Sequence, residues 1–189
     1  MKKLYVKNLA KPNKPGGNAC LPARQGLPSD PAYGGADRQS HDLQAAKEYS
    51  FLLLKFRLRS EKELASRLRQ KKFSEAIIQV TLNFLKDKQF IDDQIFAQGW
   101  VAFRLKRPFG LRRIRQELVQ KGLDKEIIEV TLAQAKEDYD EGAIVRQLAE
   151  QRFCRLKGVE PLKAKARLYA YLMRRGFSLD TVRNAVGEV

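Results

Sequence analysis

The segment Lys71-Lys72-Phe73 returns 50 residues later as Lys121-Gly122-Leu123, and 54 residues after that as Arg175-Gly176-Phe177. Apolar positions match around it each time. Ile77, Ile78, Thr81 and Leu82 correspond to Ile127, Ile128, Thr131 and Leu132, then to Thr181, Val182, Ala185 and Val186. A unit written three times predicts an array in which neighbours support one another, because a module of about 50 residues is marginal as an isolated core. Arrays present an extended surface to a partner, so binding is expected ahead of catalysis.

From Ala45 onward the apolar period is helical, with no convincing strand. Ala46, Tyr49, Leu53 and Phe56 stripe the first helix of the first unit. Ser60-Glu61-Lys62-Glu63 predicts a capping box: the serine accepts from the Glu63 amide, and the glutamate reaches back to the serine amide. Leu64 and Leu68 then turn inward, and Ser74 caps a third helix. In the second unit Phe96, Trp100 and Phe103 form the stripe, with Asp92 or Asp93 as cap. Pro108-Phe109-Gly110 breaks the chain, Ile114 and Leu118 repeat the inward pair, and Asp124 caps the third helix. Gly122 suits the left-handed residue after a helix end. The third unit carries Ile144, Leu148 and Phe153, a break at Gly158 and Pro161, then Leu168, Leu172, Gly176 and Ser178 in the matching places. The expected fold is all-α, with three-helix repeats at 45–91, 92–137 and 138–189. Residues 1–44, interrupted by proline and glycine from Pro12 to Gly35, are expected to form a flexible, disordered arm.

The 189 residues hold 37 Lys+Arg against 22 Asp+Glu, a net charge of +15, and every unit is net positive. Such an excess attracts polyanions, with nucleic acid the first expectation and an anionic membrane surface the second. Apolar runs such as Phe51–Leu54 and Trp100–Phe103 stop at four residues, so no membrane span or signal peptide is expected. Cys20 and Cys154 are far apart, and a reducing cytoplasm fits them better than a disulfide or metal site. His41 stands alone, Asp92-Asp93 reads as a helix cap rather than a metal site, and no phosphate loop, nucleophile elbow or Cys/His cluster occurs. Neither an enzyme nor a cofactor is expected.

Basic residues are densest beside the loop between first and second helices. In the first unit they are Arg57, Arg59, Arg67, Arg69, Lys71 and Lys72; in the second, Arg104, Lys106, Arg107, Arg112, Arg113 and Arg115. These are the candidate contacts. A line of them matches a line of phosphates, with affinity falling steeply in salt, and arginine forks grip carboxylates equally well. Trp100 and Phe103 are expected in the core, whereas Phe109, between a proline and a glycine, is left open between packing and base stacking.

Leu58-Arg59-Ser60-Glu61-Lys62-Glu63-Leu64, Phe90-Ile91-Asp92-Asp93-Gln94-Ile95-Phe96-Ala97, and Gly110 ahead of Ile114-Arg115-Gln116-Glu117-Leu118 and Lys121-Gly122-Leu123 resemble the RecX regulatory proteins. The resemblance runs from Ala45 to the C-terminus; the long leader and Phe56 depart from the family pattern. It implies three tandem helix-turn-helix-like repeats in an elongated, curved molecule. It also implies a non-enzymatic, cytoplasmic, monomeric modulator of the recombinase RecA. Such proteins bind the RecA filament on single-stranded DNA, usually restraining its recombination, ATPase and coprotease activities in DNA repair, and they bind single- or double-stranded DNA themselves. The alternatives are a stand-alone helix-turn-helix-like DNA- or RNA-binding protein and a protein-interaction scaffold.

Overall fold

The computed structural model describes the backbone of residues 35–189 and side chains from residue 38 onward. Most of the segment expected to be an arm lies outside the described residues. Nine helices and no strand occur among them: α1 (Gly35–Phe56), α2 (Glu61–Gln70), α3 (Glu75–Asp87), α4 (Asp93–Leu105), α5 (Leu111–Gln120), α6 (Lys125–Glu137), α7 (Glu141–Cys154), α8 (Pro161–Arg174) and α9 (Leu179–Glu188).

The helices form three sets of three. In each set the first and third helices pair and the second lies against both. Leucine and isoleucine at i and i+4 share one helix face. Accordingly Leu64/Leu68, Ile114/Leu118 and Leu168/Leu172 are all fully buried, each side chain contributing about 1.5–3 kcal/mol. Each set encloses its own core: Leu64, Ile78 and Leu85 in the first, Phe96, Ile114 and Ile128 in the second, Val145, Leu168 and Phe177 in the third. All the extensive helix-to-helix packing is within sets. What joins one repeat to the next is therefore caps, corners and long side chains.

Ser60, Ser74 and Ser178 accept from the Glu63, Ile77 and Thr181 amides at 3.2, 3.4 and 3.2 Å, satisfying donors that open a helix. Asp92 does the same for Gln94 and Ile95 at 2.7 and 3.0 Å, while Asp124 makes no side-chain cap bond. Each second helix ends in a left-handed residue: Lys72 (φ 65°), Gly122 (φ 81°) and Gly176 (φ 80°).

Besides the missing Asp124 cap bond, three details differ from the sequence expectation. Helix α1 begins at Gly35, ten residues before Ala45; the residues from Arg38 to Asp42 are exposed and carry no apolar period to mark them. Phe56 is 76% exposed and Phe103 51% exposed. Phe56 ends α1 beyond the core, and α4 buries Phe96, Ala97 and Val101 along an i,i+4 line that rotates Phe103 outward. Glu63 does not close a reciprocal capping box; its carboxylate turns sideways to Arg57 and Lys121.

Candidate functional site

The corner after the second helix of one repeat meets the start of the second helix in the repeat before. At the first junction the Ser60 hydroxyl donates to the Lys121 carbonyl at 2.7 Å. The Lys62 stem fills the space a side chain on Gly122 would need, its Cβ and Cγ lying 2.7 and 2.9 Å from that position. At the second junction, one repeat on, backbone meets backbone: the Gly110 amide donates to the Arg175 carbonyl at 3.0 Å. Arg113 donates to the Arg174 carbonyl at 3.2 Å and Arg175 to the Pro108 carbonyl at 2.8 Å. Asp93 adds a further tie, accepting the Glu61 amide at 3.0 Å, so this carboxylate caps a helix of the preceding repeat. Burial pushes the Asp93 carboxyl above its usual range; the Glu61 amide opposes the rise and the Glu61 charge adds to it.

Charges and rings then alternate across all three repeats. The Glu63 carboxylate lies between Arg57 at 2.9 Å and Lys121 at 2.6 Å. Burial raises its proton affinity, but the hydrogen bonds and charges of Arg57 and Lys121 outweigh that and hold the carboxyl below its usual range. The Lys121 ammonium sits 3.9 Å from the centre of the Trp100 ring. The indole donates to Glu117 at 3.1 Å, and Glu117 also pairs with Arg104 and, at 3.3 Å, with Arg113. Phe109 has Arg104, Arg113 and Arg175 over its ring at 4.3, 4.7 and 5.5 Å. Arg175 also lies 4.8 Å from Tyr171, which faces Arg152 at 5.0 Å. Phe109 is thus covered by guanidinium groups. Beside it the Tyr139 hydroxyl donates to the Phe109 carbonyl at 2.9 Å, and burial, then the Glu141 charge, pushes that phenol up to about 12.

Of the candidate contacts, Arg57, Arg59 and Arg67 come together with Lys62 and Lys121 around a cleft of about 290 Å³ at the first junction. Arg59 is half-buried and donates to the Leu53 carbonyl at 3.4 Å; burial, then the charge of Arg57, lower its pKa, Glu63 pulls the other way, and Arg67 adds a smaller lowering. Arg104 is only 12% exposed and, with Arg113, belongs to the charge ladder. Arg69 and Arg115 pair with Glu75 at 2.6 Å and Glu129 at 2.7 Å within their own repeats. Lys71 lies 5.3 Å from Tyr49, and Arg107 5.7 Å from Phe103. Lys72, Lys106 and Arg112 are exposed and have no carboxylate partner among the described residues. Lys62, Lys121 and Arg175 were not among the candidates. For the last two the signal was in the repeat itself, since both open the recurring corner.

Family models for the first, second and third three-helix domains of RecX match residues 46–85, 92–132 and 139–186, in chain order. Regulatory protein RecX of Chlorobium phaeobacteroides (strain BS1) is 38% identical over 149 residues, covering 78% of this chain and 95% of that protein. The Vibrio campbellii protein of the same name is 33% identical over 142 residues, 75% of this chain and 90% of its own length. A crystal structure of regulatory protein RecX aligns with a TM-score of 0.72 at 22% identity, over 88% of this chain and 82% of that one. RecX from Lactobacillus salivarius gives 0.69 at 24% identity, over 79% and 97%. The structural likeness carries the fold; the sequence matches, in register with the three repeats, carry the kinship. This chain belongs to the RecX family.

Proposed function

We propose that this chain is a non-enzymatic regulator of the recombinase RecA, binding the RecA filament on single-stranded DNA and restraining its ATP hydrolysis, recombination and coprotease activity in DNA repair. Family membership supplies the partner. The observation that carries the surface is the division of labour among its cations. Glu63 and Glu117 fix the inner ones, Arg57, Lys121, Arg104 and Arg113: the Glu63–Lys121 pair crosses between repeats, whereas Arg57–Glu63 and the two Glu117 pairs lie within theirs. Lys62, Arg67, Lys106, Arg107 and Arg112 remain exposed and unneutralised by any described carboxylate, available to DNA phosphates and to carboxylates of the filament.

The two outer ends of the array support action as a single copy. A docked corner carries glycine because the neighbouring helix start fills the Cβ position. The first repeat has Lys72 there, whose own Cβ occupies that space, and α8 starts on Pro161 where the inner repeats offer docking residues.

Steady-state ATP hydrolysis by RecA on single-stranded DNA tests this. The protein should lower hydrolysis at or below equimolar ratio. Arg67→Glu and Arg112→Glu should relieve the inhibition, whereas Arg183→Glu on α9 should not. No effect of the unmodified chain at equimolar ratio would refute the reading. A strong base-sequence preference on free duplex would instead favour a stand-alone DNA reader.

A further inference from the structure

We propose that the cleft at the first junction is a seat for one phosphate group of a nucleic-acid strand, gripped by side chains of two repeats at once. Its ammonium and guanidinium groups come from Arg57, Arg59, Lys62 and Arg67 of the first repeat and Lys121 of the second; its single carboxylate is Glu63. Glu63 is already engaged by Arg57 and Lys121, which leaves Arg59, Lys62 and Arg67 without an anion. Like charges confined in a concave pocket repel one another, and the lowered pKa of half-buried Arg59 registers that repulsion after the larger effect of burial. An entering anion relieves it. Ser66 and Gln120 place neutral donors at the rim, the complement that a phosphate's several acceptor oxygens require.

The second junction argues by contrast. One repeat on, Phe109 stands at the register of Arg59, Arg113 at that of Glu63, and Glu117 at that of Arg67. There the aromatic ring and the carboxylate occupy the guanidinium groups from within. The two junctions share a scaffold, but the first gathers around its cavity three cations that pair with no described carboxylate, Arg59 donating only to the Leu53 carbonyl and Arg67 to the Gln70 side chain. Because donors come from both sides, an occupied seat also adds a bond across a junction that no extensive helix packing secures. The seat depends on the proposed filament role only for the identity of the strand that brings the phosphate.

The test is calorimetric titration of the full chain with inorganic phosphate and, separately, with oligodeoxythymidine at several salt concentrations. Poly-glutamate serves as the acidic-peptide arm. Arg67→Ala removes one guanidinium, and Lys62→Met removes the ammonium while keeping the stem over Gly122. Arg69→Ala is the control, on the same helix but paired with Glu75 outside the cleft. Each cleft variant should weaken oligonucleotide binding about tenfold or more and reduce the salt slope by about one, with Arg69→Ala changing neither. Inorganic phosphate should bind the parent and lose its affinity in both cleft variants. Oligonucleotide binding that is unchanged in both folded variants would overturn the seat while leaving the filament reading standing. Absence of any oligonucleotide binding by the parent would overturn the seat and leave the filament reading to the ATP-hydrolysis assay, and poly-glutamate binding that alone responds to the variants would assign the cleft to an acidic protein instead.

Discussion

The glycines at the junctions allow the cost of separating two repeats to be dissected. Gly158 has φ +89° with open space around it, so Gly158→Ala tests conformation alone. Gly110 has an ordinary φ of −72°, but a Cβ there would run into the Gly176 carbonyl and the Phe177 amide, so Gly110→Ala tests packing alone. Gly176 combines the two: φ +80°, and a Cβ that would lie 2.5 Å from the Arg113 nitrogen and 2.9 Å from its Cα. The left-handed conformation costs alanine about 1–2 kcal/mol, partly offset by the entropy that glycine retains when unfolded. Relieving the overlap requires the corner to retreat from α5, a backbone atom having nowhere else to go. Retreat breaks the Gly110–Arg175, Arg113–Arg174 and Arg175–Pro108 bonds, each worth about 1 kcal/mol.

The expected destabilisations are therefore about 1 kcal/mol for Gly158→Ala, 2–3 for Gly110→Ala and about 4 for Gly176→Ala, a large part of the roughly 5–15 kcal/mol of a typical fold. Urea unfolding followed by far-ultraviolet circular dichroism measures all three. Because repeats share no extensive helix packing, Gly176→Ala should also split the transition, the third repeat melting first with its own shallower slope. If Gly176→Ala costs no more than Gly158→Ala, within about 0.5 kcal/mol, the junction yields freely and the close approach has no energetic meaning.

Other perturbations give equally definite outcomes. Lys72→Gly relieves a lysine at φ 65° and should raise stability by about 0.5–1 kcal/mol in urea unfolding; a loss would show that the Lys72 side chain holds the corner. Thr81 buries its hydroxyl without a hydrogen-bond partner, whereas Thr131, at the same register, donates to the Ile127 carbonyl at 2.7 Å. Thr81→Val should therefore stabilise and Thr131→Val destabilise, each by about 1 kcal/mol in the same assay. The depressed Glu63 carboxyl contributes stability that is present above its unfolded pKa and is lost as pH falls through the folded one; Glu63→Gln should flatten the acid limb of the stability profile. The raised Tyr139 phenol works in the other direction. Its contribution is present below the unfolded value of 10.0 and lost as pH rises through about 12, so Tyr139→Phe should remove part of the alkaline destabilisation.

What the sequence made legible was whatever repeats or packs. The paired leucines, the serine caps and the left-handed corner at Gly122 follow from local pattern, because burial and capping each leave a periodic trace; the left-handed Lys72 left none. Helix α1 shows where that trace fails: it is helical from Gly35, yet Arg38 to Asp42 are exposed, and a period records burial, not helicity. Phe103 fails for a related reason, since 96-100-103 and 97-101-105 are both helical spacings and only the tertiary neighbours choose between them. The candidate cations were harder still. Sequence gives their density, yet whether Arg104 faces a strand or a carboxylate depends on Glu117, on the next helix. Lys121 and Arg175 were visible as repeat markers without their role being visible, because that role is a contact with a different repeat.

The division between inner and outer cations has a mechanical reason. Apolar cores end at the repeat boundaries here, so a junction must be held by polar contacts, and polar contacts in water are individually weak. The rungs that cross, Lys121 to Glu63 and Arg175 to the Phe109 ring, each end on a group that further cations of its own repeat also engage, so that neither is an isolated surface pair. The same arrangement pre-organises the binding face. Arg57 and Lys121 are pinned by Glu63 at the cleft, and in the proposed seat the unpinned Lys62 and Arg67 would close on an arriving anion. A chain of independent basic residues would pay the ordering entropy on binding; this one has paid most of it on folding. If the proposed seat binds a polyanion, Glu63 and Glu117, though negative, favour that binding through position while opposing it through charge, and neutralising Glu63 should loosen the first junction without simply strengthening the grip.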